Sequence, residues 1–314
     1  MAPTFIKLDT RLGEEPEVKA AVEKLIKRYG IGYVAGRGVL LFDIAEFSLF
    51  TPFEQASQLN SLSYSLNSAY NKLLSKGVEV NFSRTTTGDG YYVWNRNTGP
   101  DADQDLFVFL LLVIADNAVA RAASRGNTVP VIRSAFHVGS HYELYQAEGV
   151  NPTVFSYIVG DVTIDLARMV DLARPGQILV GEFTSIATGS EGEQEELHRA
   201  PDFVKHCNRK LALVSGVQLS GKSIVSLQCS LSRGEDGEER RAAHRIRMID
   251  KHGLTRFAYN LELLIELQDG TLKLGREGSG MSGDEELSPR RRGRSGGDGA
   301  GLLYKRSPFS LSEG

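Results

Sequence analysis

The sequence predicts an α+β fold built on a split βαββαβ arrangement, an antiparallel sheet with helices packed on one face. Two observations carry this. Between residues 38 and 181 the hydrophobic pattern runs strand, helix, strand–turn–strand, helix, strand, helix, strand. The composition is that of a folded globular chain, with 41% hydrophobic and 24% charged residues among 314. That length is about two domains at roughly 150 residues each.

The elements are justified in order. Residues 14–29 read as an amphipathic helix through Val18, Ala21, Val22, Leu25 and Ile26, with Gly30 just past its end. Gly38–Ile44 is a short apolar strand whose penultimate residue is the acid Asp43. Thr51 is placed to cap a long helix reaching about Leu74. Val78–Phe82 and Gly90–Trp94 read as two strands around the turn Thr87-Gly88-Asp89-Gly90, with Tyr91, Tyr92 and Trp94 packing the hairpin on the sheet. Residues 102–124 form a helix apolar on nearly all sides, which predicts burial. Val129–Gly139 is a strand in which His137 reads as a packed core histidine, 161–173 a helix, and Gln177–Val180 a strand.

Beyond about 182 the text changes. Ser185–Glu196 is polar and acidic, Leu211–Ser230 alternates like a hairpin, and Gly253–Leu274 suggests further strands or a helix–strand pair. From Arg276 to Gly314, Gly and Ser make up 16 of 39 residues beside the cluster Arg290-Arg-Arg-Gly-Arg294, which predicts a disordered, solvated tail.

Charge and cysteine content exclude several function classes. Lys plus Arg number 36 against 39 Asp plus Glu, a net charge of −3, so no global basic field recruits nucleic acid. Any anionic substrate must then be held by local groups or a metal. Two cysteines, Cys207 and Cys229, make no disulfide framework, and no zinc-type spacing occurs. The start MAPTFIKLDT has no apolar signal core, and the longest apolar run, Leu106–Ala115, is ten residues against the ~20 of a bilayer span. A cytoplasmic protein without a membrane span is expected.

Two acids stand out by position. Asp43 ends an apolar strand and Asp89 sits in the hairpin turn; in a βαββαβ sheet these elements can be neighbours, aiming both carboxylates at one spot. Paired carboxylate oxygens, completed by substrate phosphates, are what Mg²⁺ or Mn²⁺ takes. Each acid alone has a plain reading, Asp89-Gly90 as a tight-turn pair and Asp43 as a cap. The segment Gly216-Val-Gln-Leu-Ser-Gly221-Lys222-Ser223 fits the P-loop pattern letter for letter. A P-loop must open a helix, whereas Ile224-Val-Ser-Leu-Gln-Cys-Ser-Leu231 alternates like a strand, so a hairpin turn is expected.

Phe42-Asp43-Ile44, Phe47-Ser48, Thr87-Gly88-Asp89-Gly90, Arg133-Ser-Ala-Phe-His137-Val-Gly139, Gly160 and Ala167-Arg168, in this order, resemble the class III nucleotidyl cyclases over residues 38–181. Phe47–Asn60 and Ser83–Asn95 look more narrowly like the bacterial Pycsar pyrimidine cyclases, which make cyclic UMP or cyclic CMP during phage infection. The resemblance implies a ferredoxin-like cyclase core in residues 1–182, followed by an α/β extension over 183–275 that packs on it. It implies that Asp43, Asp89 and the carbonyl of Ile44 hold two divalent cations, Mn²⁺ or Mg²⁺, and that Arg168 stabilises the pentavalent transition state. It also implies a homodimer with active sites at the subunit interface and a separate effector protein activated by the product.

The departures bear on the base. Where adenylate cyclases carry lysine and Asp or Thr, and guanylate cyclases Glu and Cys, this chain has Thr85 and Tyr157. Phe50 replaces the usual Leu. A site lacking the purine-reading groups should reject ATP and GTP, which favours UTP, with CTP second. Arg84 is placed either on phosphate or base or in a surface salt bridge. Ile164 stands where purine cyclases put a ribose-binding asparagine, with Asp165 beside it; either Asp165 or another group substitutes, or ribose positioning is weaker, or the domain is inactive. The rival expectations are an adenylate or guanylate cyclase with an unusual pocket, and a pseudo-cyclase that binds nucleotide without turnover.

Overall fold

Alternating strand residues divide the molecule into two apolar layers, one on each face of a single large sheet. The computed structural model describes residues 30–148, 153–188, 195–233, 243–249, 253–275 and 286–287. The expected helix over 14–29 lies outside these residues, as does the tail 276–314 apart from Glu286–Leu287.

Strand β1 (Ile31–Ile44) leads through a 3-10 turn (Phe47–Leu49) into helix α1 (Pro52–Ser75). The hairpin of β2 (Phe82–Thr86) and β3 (Gly90–Asn95) follows, then α2 (Ala102–Ala123), β4 (Ile132–Glu148), β5 (Thr153–Val159), α3 (Asp161–Leu172) and β6 (Ile178–Gly181). β1 lies antiparallel between β3 and β4, β2 pairs antiparallel with β3, and β6 runs parallel to β4. The spatial order β4-β1-β3-β2 is that of an antiparallel βαββαβ core.

Helix α1 begins where its capping box dictates. The Thr51 hydroxyl accepts from the Glu54 amide, and the Glu54 carboxylate accepts from the Thr51 amide at 3.0 Å, with Pro52 in the first turn. It buries Leu62, Leu66, Ala69 and Leu73, one stripe at helical spacing. Helix α2 is long and apolar enough to cross a membrane by length and composition. Here Leu106 through Ala115 are instead buried between the sheet, α1 and the later helix Ala200–Lys210. Truncating one of these leucines to alanine leaves a cavity that costs roughly 3 kcal/mol.

Three expectations are corrected. The strand expected at Val78–Phe82 begins only at Phe82: α1 ends in a turn at Gly77 (φ +78°), the Val78 amide still donates back to Leu73, and 78–81 belong to no strand. The helices do not all lie on one face. α1 and α2 cover Leu40, Phe42 and Ile44, whereas α3 covers Val39, Leu41 and Trp94 on the other side. Strand β5, which pairs with the outer half of β4 through Tyr142↔Val159 and Leu144↔Tyr157, was not anticipated.

The later residues continue the same sheet. β7 (Thr184–Thr188) and β8 (Glu195–Arg199) form a separate hairpin, and α4 (Ala200–Lys210) follows. Phe203 of α4 stacks on Phe136 with centroids 5.5 Å apart, within an aromatic cluster that includes Phe107 and Phe183. After β9 (Gln218–Leu219) come β10 (Lys222–Leu231), β11 (Arg245–Ile249), β12 (Thr255–Leu267) and β13 (Gly270–Leu274), so Gly253–Leu274 holds two strands joined by a two-residue turn and no helix. The short β14 (Glu286–Leu287) pairs parallel with β11. β12 is the hub: it pairs with β10, β11 and β13, and through Ala258↔Gly181 with β6 of the core. The P-loop-like segment is the β9–β10 hairpin, closed by Ser220 and Gly221 at φ +46° and +84°. Two successive positive φ values are the type I′ hairpin geometry, not a helix start.

Candidate active site

The site is built on sheet register. Asp43 pairs with Gly90 of β3 on one side and Arg133 of β4 on the other. Alternation along β1 points Asp43 to the α3 face, since Val39 and Leu41 lie there. The Ile44 amide donates to the Asp89 carbonyl at 2.9 Å, which ties the hairpin turn to the end of β1. A Cβ on Gly90 would lie 1.9 Å from the Phe42 carbonyl oxygen, so only glycine allows this approach. Gly88 holds φ +101° in the turn, and the Thr87 hydroxyl donates to the Asp89 carboxylate at 3.2 Å. Asp43, Ile44 and Asp89 are thereby gathered at one end of two adjoining strands.

Asp43 is buried, and burial pushes its carboxyl up to about 6. Arg133 opposes that rise, while the charges of Asp89 and Asp171 add to it. Arg133 Nε donates to Asp43 Oδ2 at 2.8 Å, and its Nη2 donates to the same oxygen. Two further acids bear on Asp43 here, with a single guanidinium against it, an arrangement that favours a further cation. Carboxylates beside a backbone carbonyl are hard oxygen donors suited to Mg²⁺ or Mn²⁺. Among the described residues no group of three or more His, Cys, Asp or Glu side chains forms a ready-made cage. A cation held here would take its remaining donors from outside these side chains.

Arg168 sits on α3, partly exposed, with Nη1 3.6 Å from Asp171 one turn later. Tyr92 anchors this helix to β3 by donating to the Thr163 carbonyl at 2.9 Å. Burial, reinforced by the Asp171 charge, holds the Tyr92 phenol up at about 12, so it stays a donor. Through Asp171, whose field reaches both Asp43 and Tyr92, the helix carrying Arg168 is coupled to the carboxylate end of the sheet.

The remaining candidates are distributed as follows. Thr85 lies on β2 opposite Tyr92, and Tyr157, 43% exposed, lies on β5 opposite Leu144. Arg96 Nη2, just past β3, donates to Ser156 Oγ at 2.7 Å and draws β5 toward the β2–β3 edge. Phe50 closes the 3-10 turn after β1, and its carbonyl accepts from Gln55 Nε2 at 3.0 Å. Arg84 is exposed, its guanidinium 5.5 Å from the Tyr91 ring centroid. Ile164 is half exposed on α3. Asp165 already has partners: Arg256 Nε donates to its Oδ1 at 2.5 Å, and His137 Nε2 stands 3.5 Å from its Oδ2. Burial raises the Asp165 carboxyl, but His137 and Arg256 outweigh it and hold the group below the ordinary range.

Residue-level reading missed three contributors. Arg133 was visible within Arg133-Ser-Ala-Phe-His137, yet only the β1–β4 register reveals that it faces Asp43. Asp171 carried a faint signal as the acid three residues after Arg168. Arg256 carried none, being 91 residues from Asp165.

No protein-family model matches the chain, and no curated protein matches it. Solved structures do. The chain is similar to the guanylate cyclase domain of RhGC from Catenaria anguillulae in complex with GTP, at 15% identity and a TM-score of 0.37, over 53% of this chain and 95% of that one. It is similar to the adenylyl cyclase CyaB from P. aeruginosa, at 14% identity and a TM-score of 0.37, over 54% and 94% of the two chains. The guanylyl cyclase Cya2 matches over 74% of this chain and 93% of its own, at 11% identity and a TM-score of 0.39.

Proposed function

We propose that this chain is a nucleotide cyclase, and a pyrimidine one, converting UTP, or CTP as second choice, to the 3',5'-cyclic monophosphate and pyrophosphate. The observation that carries the reading is the pairing of Asp43 with Gly90, which gathers Asp43 and Asp89 at one end of an antiparallel βαββαβ core. Asp43, Asp89 and the Ile44 carbonyl would hold two divalent cations, Mn²⁺ or Mg²⁺, the substrate phosphates completing their coordination. When bound, such ions lower the pKa of the ribose 3'-hydroxyl and neutralise charge on the triphosphate and the departing pyrophosphate.

The chain's own groups supply the rest. Arg133, hydrogen-bonded to Asp43, carries a guanidinium that would serve an incoming phosphate. Arg168 places positive charge where the α-phosphorus becomes pentavalent, reaching the carboxylates of a second copy in a homodimer. Phe50, Thr85 and Tyr157 shape the base side. With no lysine, glutamate or aspartate at Thr85 and Tyr157, purine edges lose their partners and a smaller base is accepted. The product would act as a second messenger in antiphage defence through a separate effector protein.

A second reading has one observation in its favour. Ile164 offers no polar atom to ribose and Asp165 is already engaged, as in a pseudo-cyclase that binds nucleotide without turnover. The deciding experiment incubates purified protein with Mn²⁺ and each of the four NTPs, with Asp89→Ala as control. Cyclic UMP or cyclic CMP formed only by the intact protein supports the proposal. Cyclic AMP or cyclic GMP overturns the pyrimidine assignment, and nucleotide binding without product favours the pseudo-cyclase.

A further inference from the structure

We infer that Arg256, a residue of the C-terminal strands, is a positioning residue for Arg168: it clamps helix α3 through Asp165 and so sets where the Arg168 guanidinium stands. The clamp itself is a structural relationship; the role given to Arg168 rests on the cyclase reading above.

Asp165 precedes Arg168 by three residues, so both lie along one side of α3, with Asp171 three residues further on. The two Asp165 oxygens are held from two different strands. Oδ1 accepts from Arg256 Nε of β12 at 2.5 Å, and Oδ2 faces His137 Nε2 of β4 at 3.5 Å. A carboxylate held at both oxygens by groups on separate strands fixes the helix in rotation and in translation.

The partners are themselves fixed. The His137 ring is lodged against the backbone of β6, where a Cβ on Gly181 would stand 2.3 Å from Nδ1. Gly181 is in turn the register partner of Ala258, two residues from Arg256 on β12. Arg256 lies opposite Met248 of β11, and Met248, Ile246 and Ala258 join Leu166, Met169 and Val170 in one buried cluster. The ion pair is therefore surrounded by apolar contacts that α3 makes with the same C-terminal strands.

Packing alone would hold a 12-residue amphipathic helix on the sheet without a partly buried charge pair, whose desolvation offsets much of its attraction. What the charged contact adds is geometric specificity, three residues from the arginine proposed to meet the reacting phosphate. A helix displaced by about 1 Å there would lower turnover strongly while leaving substrate affinity nearly intact.

The test uses the full chain with Arg256→Ala, Arg256→Lys and Asp165→Asn, and reads two quantities. Hydrogen exchange of residues 161–172 is expected to accelerate about tenfold or more in Arg256→Ala and Asp165→Asn, and less in Arg256→Lys, with β1 unchanged. Turnover of the NTP the wild type uses is expected to lose about tenfold or more in kcat, with KM within roughly twofold and partial rescue by Arg256→Lys. Unchanged exchange overturns the clamp. Faster exchange with unchanged kcat overturns the positioning role. A raised KM with unchanged kcat also overturns it, since Asp165 would then serve substrate directly. If Arg256→Ala does not fold, Arg256→Lys and Asp165→Asn carry the same comparison. A wild type that turns over no NTP removes the cyclase reading, and the clamp then stands or falls on exchange alone.

Discussion

Asp43 and Arg133 face each other across the β1–β4 pair, with Arg133 Nε donating to Asp43 Oδ2 at 2.8 Å. Burial still wins, leaving the carboxyl at about 6 against an ordinary 3.8. A carboxyl whose folded pKa is raised contributes stability that is full below the unfolded value and is lost as pH climbs through the folded one. In metal-free protein the Asp43 contribution should therefore disappear between about pH 4 and pH 6. Asp43→Asn carries no such loss, although it leaves Arg133 without its pair at every pH. The Tm of Asp43→Asn minus that of the wild type should thus rise across this window and level off above it. A difference flat with pH would refute the burial of this charge.

Gly90 is the closest backbone approach at the site. Gly90→Ala would put a methyl 1.9 Å from the Phe42 carbonyl oxygen, with the Asp43 backbone behind it, and nothing there is a flexible side-chain end. The hairpin must move off β1, at a cost of roughly 3 kcal/mol. Gly88→Ala, by contrast, meets open space and suffers only from φ +101°, roughly 1–2 kcal/mol. Urea unfolding of the two variants should rank them in that order, and activity should fail first in Gly90→Ala.

If Arg168 acts as proposed, Arg168→Ala should lower kcat by about two orders of magnitude, since removing a group that stabilises transition-state charge costs roughly 3 kcal/mol. KM should change little, and Arg168→Lys should recover only part, because a lysine cannot make two planar contacts at once. Steady-state kinetics on the preferred NTP would show it. A rise in KM with kcat intact would make Arg168 a ground-state contact.

Where a local pattern sufficed, the sequence and the structure agree. Thr51 announced the α1 cap, ten consecutive apolar residues announced a buried α2, and Ile224–Leu231 alternated as the strand it is. What stayed hidden depends on strand pairing. Which face α3 takes follows from the parity of Val39 and Leu41 against Leu40 and Phe42, and that has meaning only once β1 has neighbours. The same holds within the site. Asp43 and Asp89 were visible as acids at strand ends, whereas Arg133 and Arg256 became partners of acids about 90 residues away only through long-range register.

Lys222 tests the P-loop reading directly. Its Nζ lies 2.6 Å from Asp269 Oδ2, with the two side chains 44% and 56% exposed, so water screens the pair. Lys222→Ala should leave both turnover and stability essentially unchanged. A phosphate-holding lysine would instead abolish nucleotide use when removed.

Base selection gives the sharpest test of what Thr85 and Tyr157 do. Both stand on strands near the β2–β3 edge, Thr85 opposite Tyr92 and Tyr157 opposite Leu144. Neither can offer a charged partner to a purine ring edge. Thr85→Lys with Tyr157→Asp supplies an ammonium and a carboxylate at those two positions. Discrimination by hydrogen bonding is strong because a site built for one edge leaves buried groups unpaired with another. The double variant should therefore lose pyrimidine cyclisation by about tenfold or more and begin to form cyclic AMP, each single change giving less than the pair. The products are separated by chromatography after incubation with Mn²⁺ and an equimolar NTP mixture. Unaltered UTP or CTP preference in the double variant would place base recognition on other residues, and Phe50→Leu would then be the next change to make.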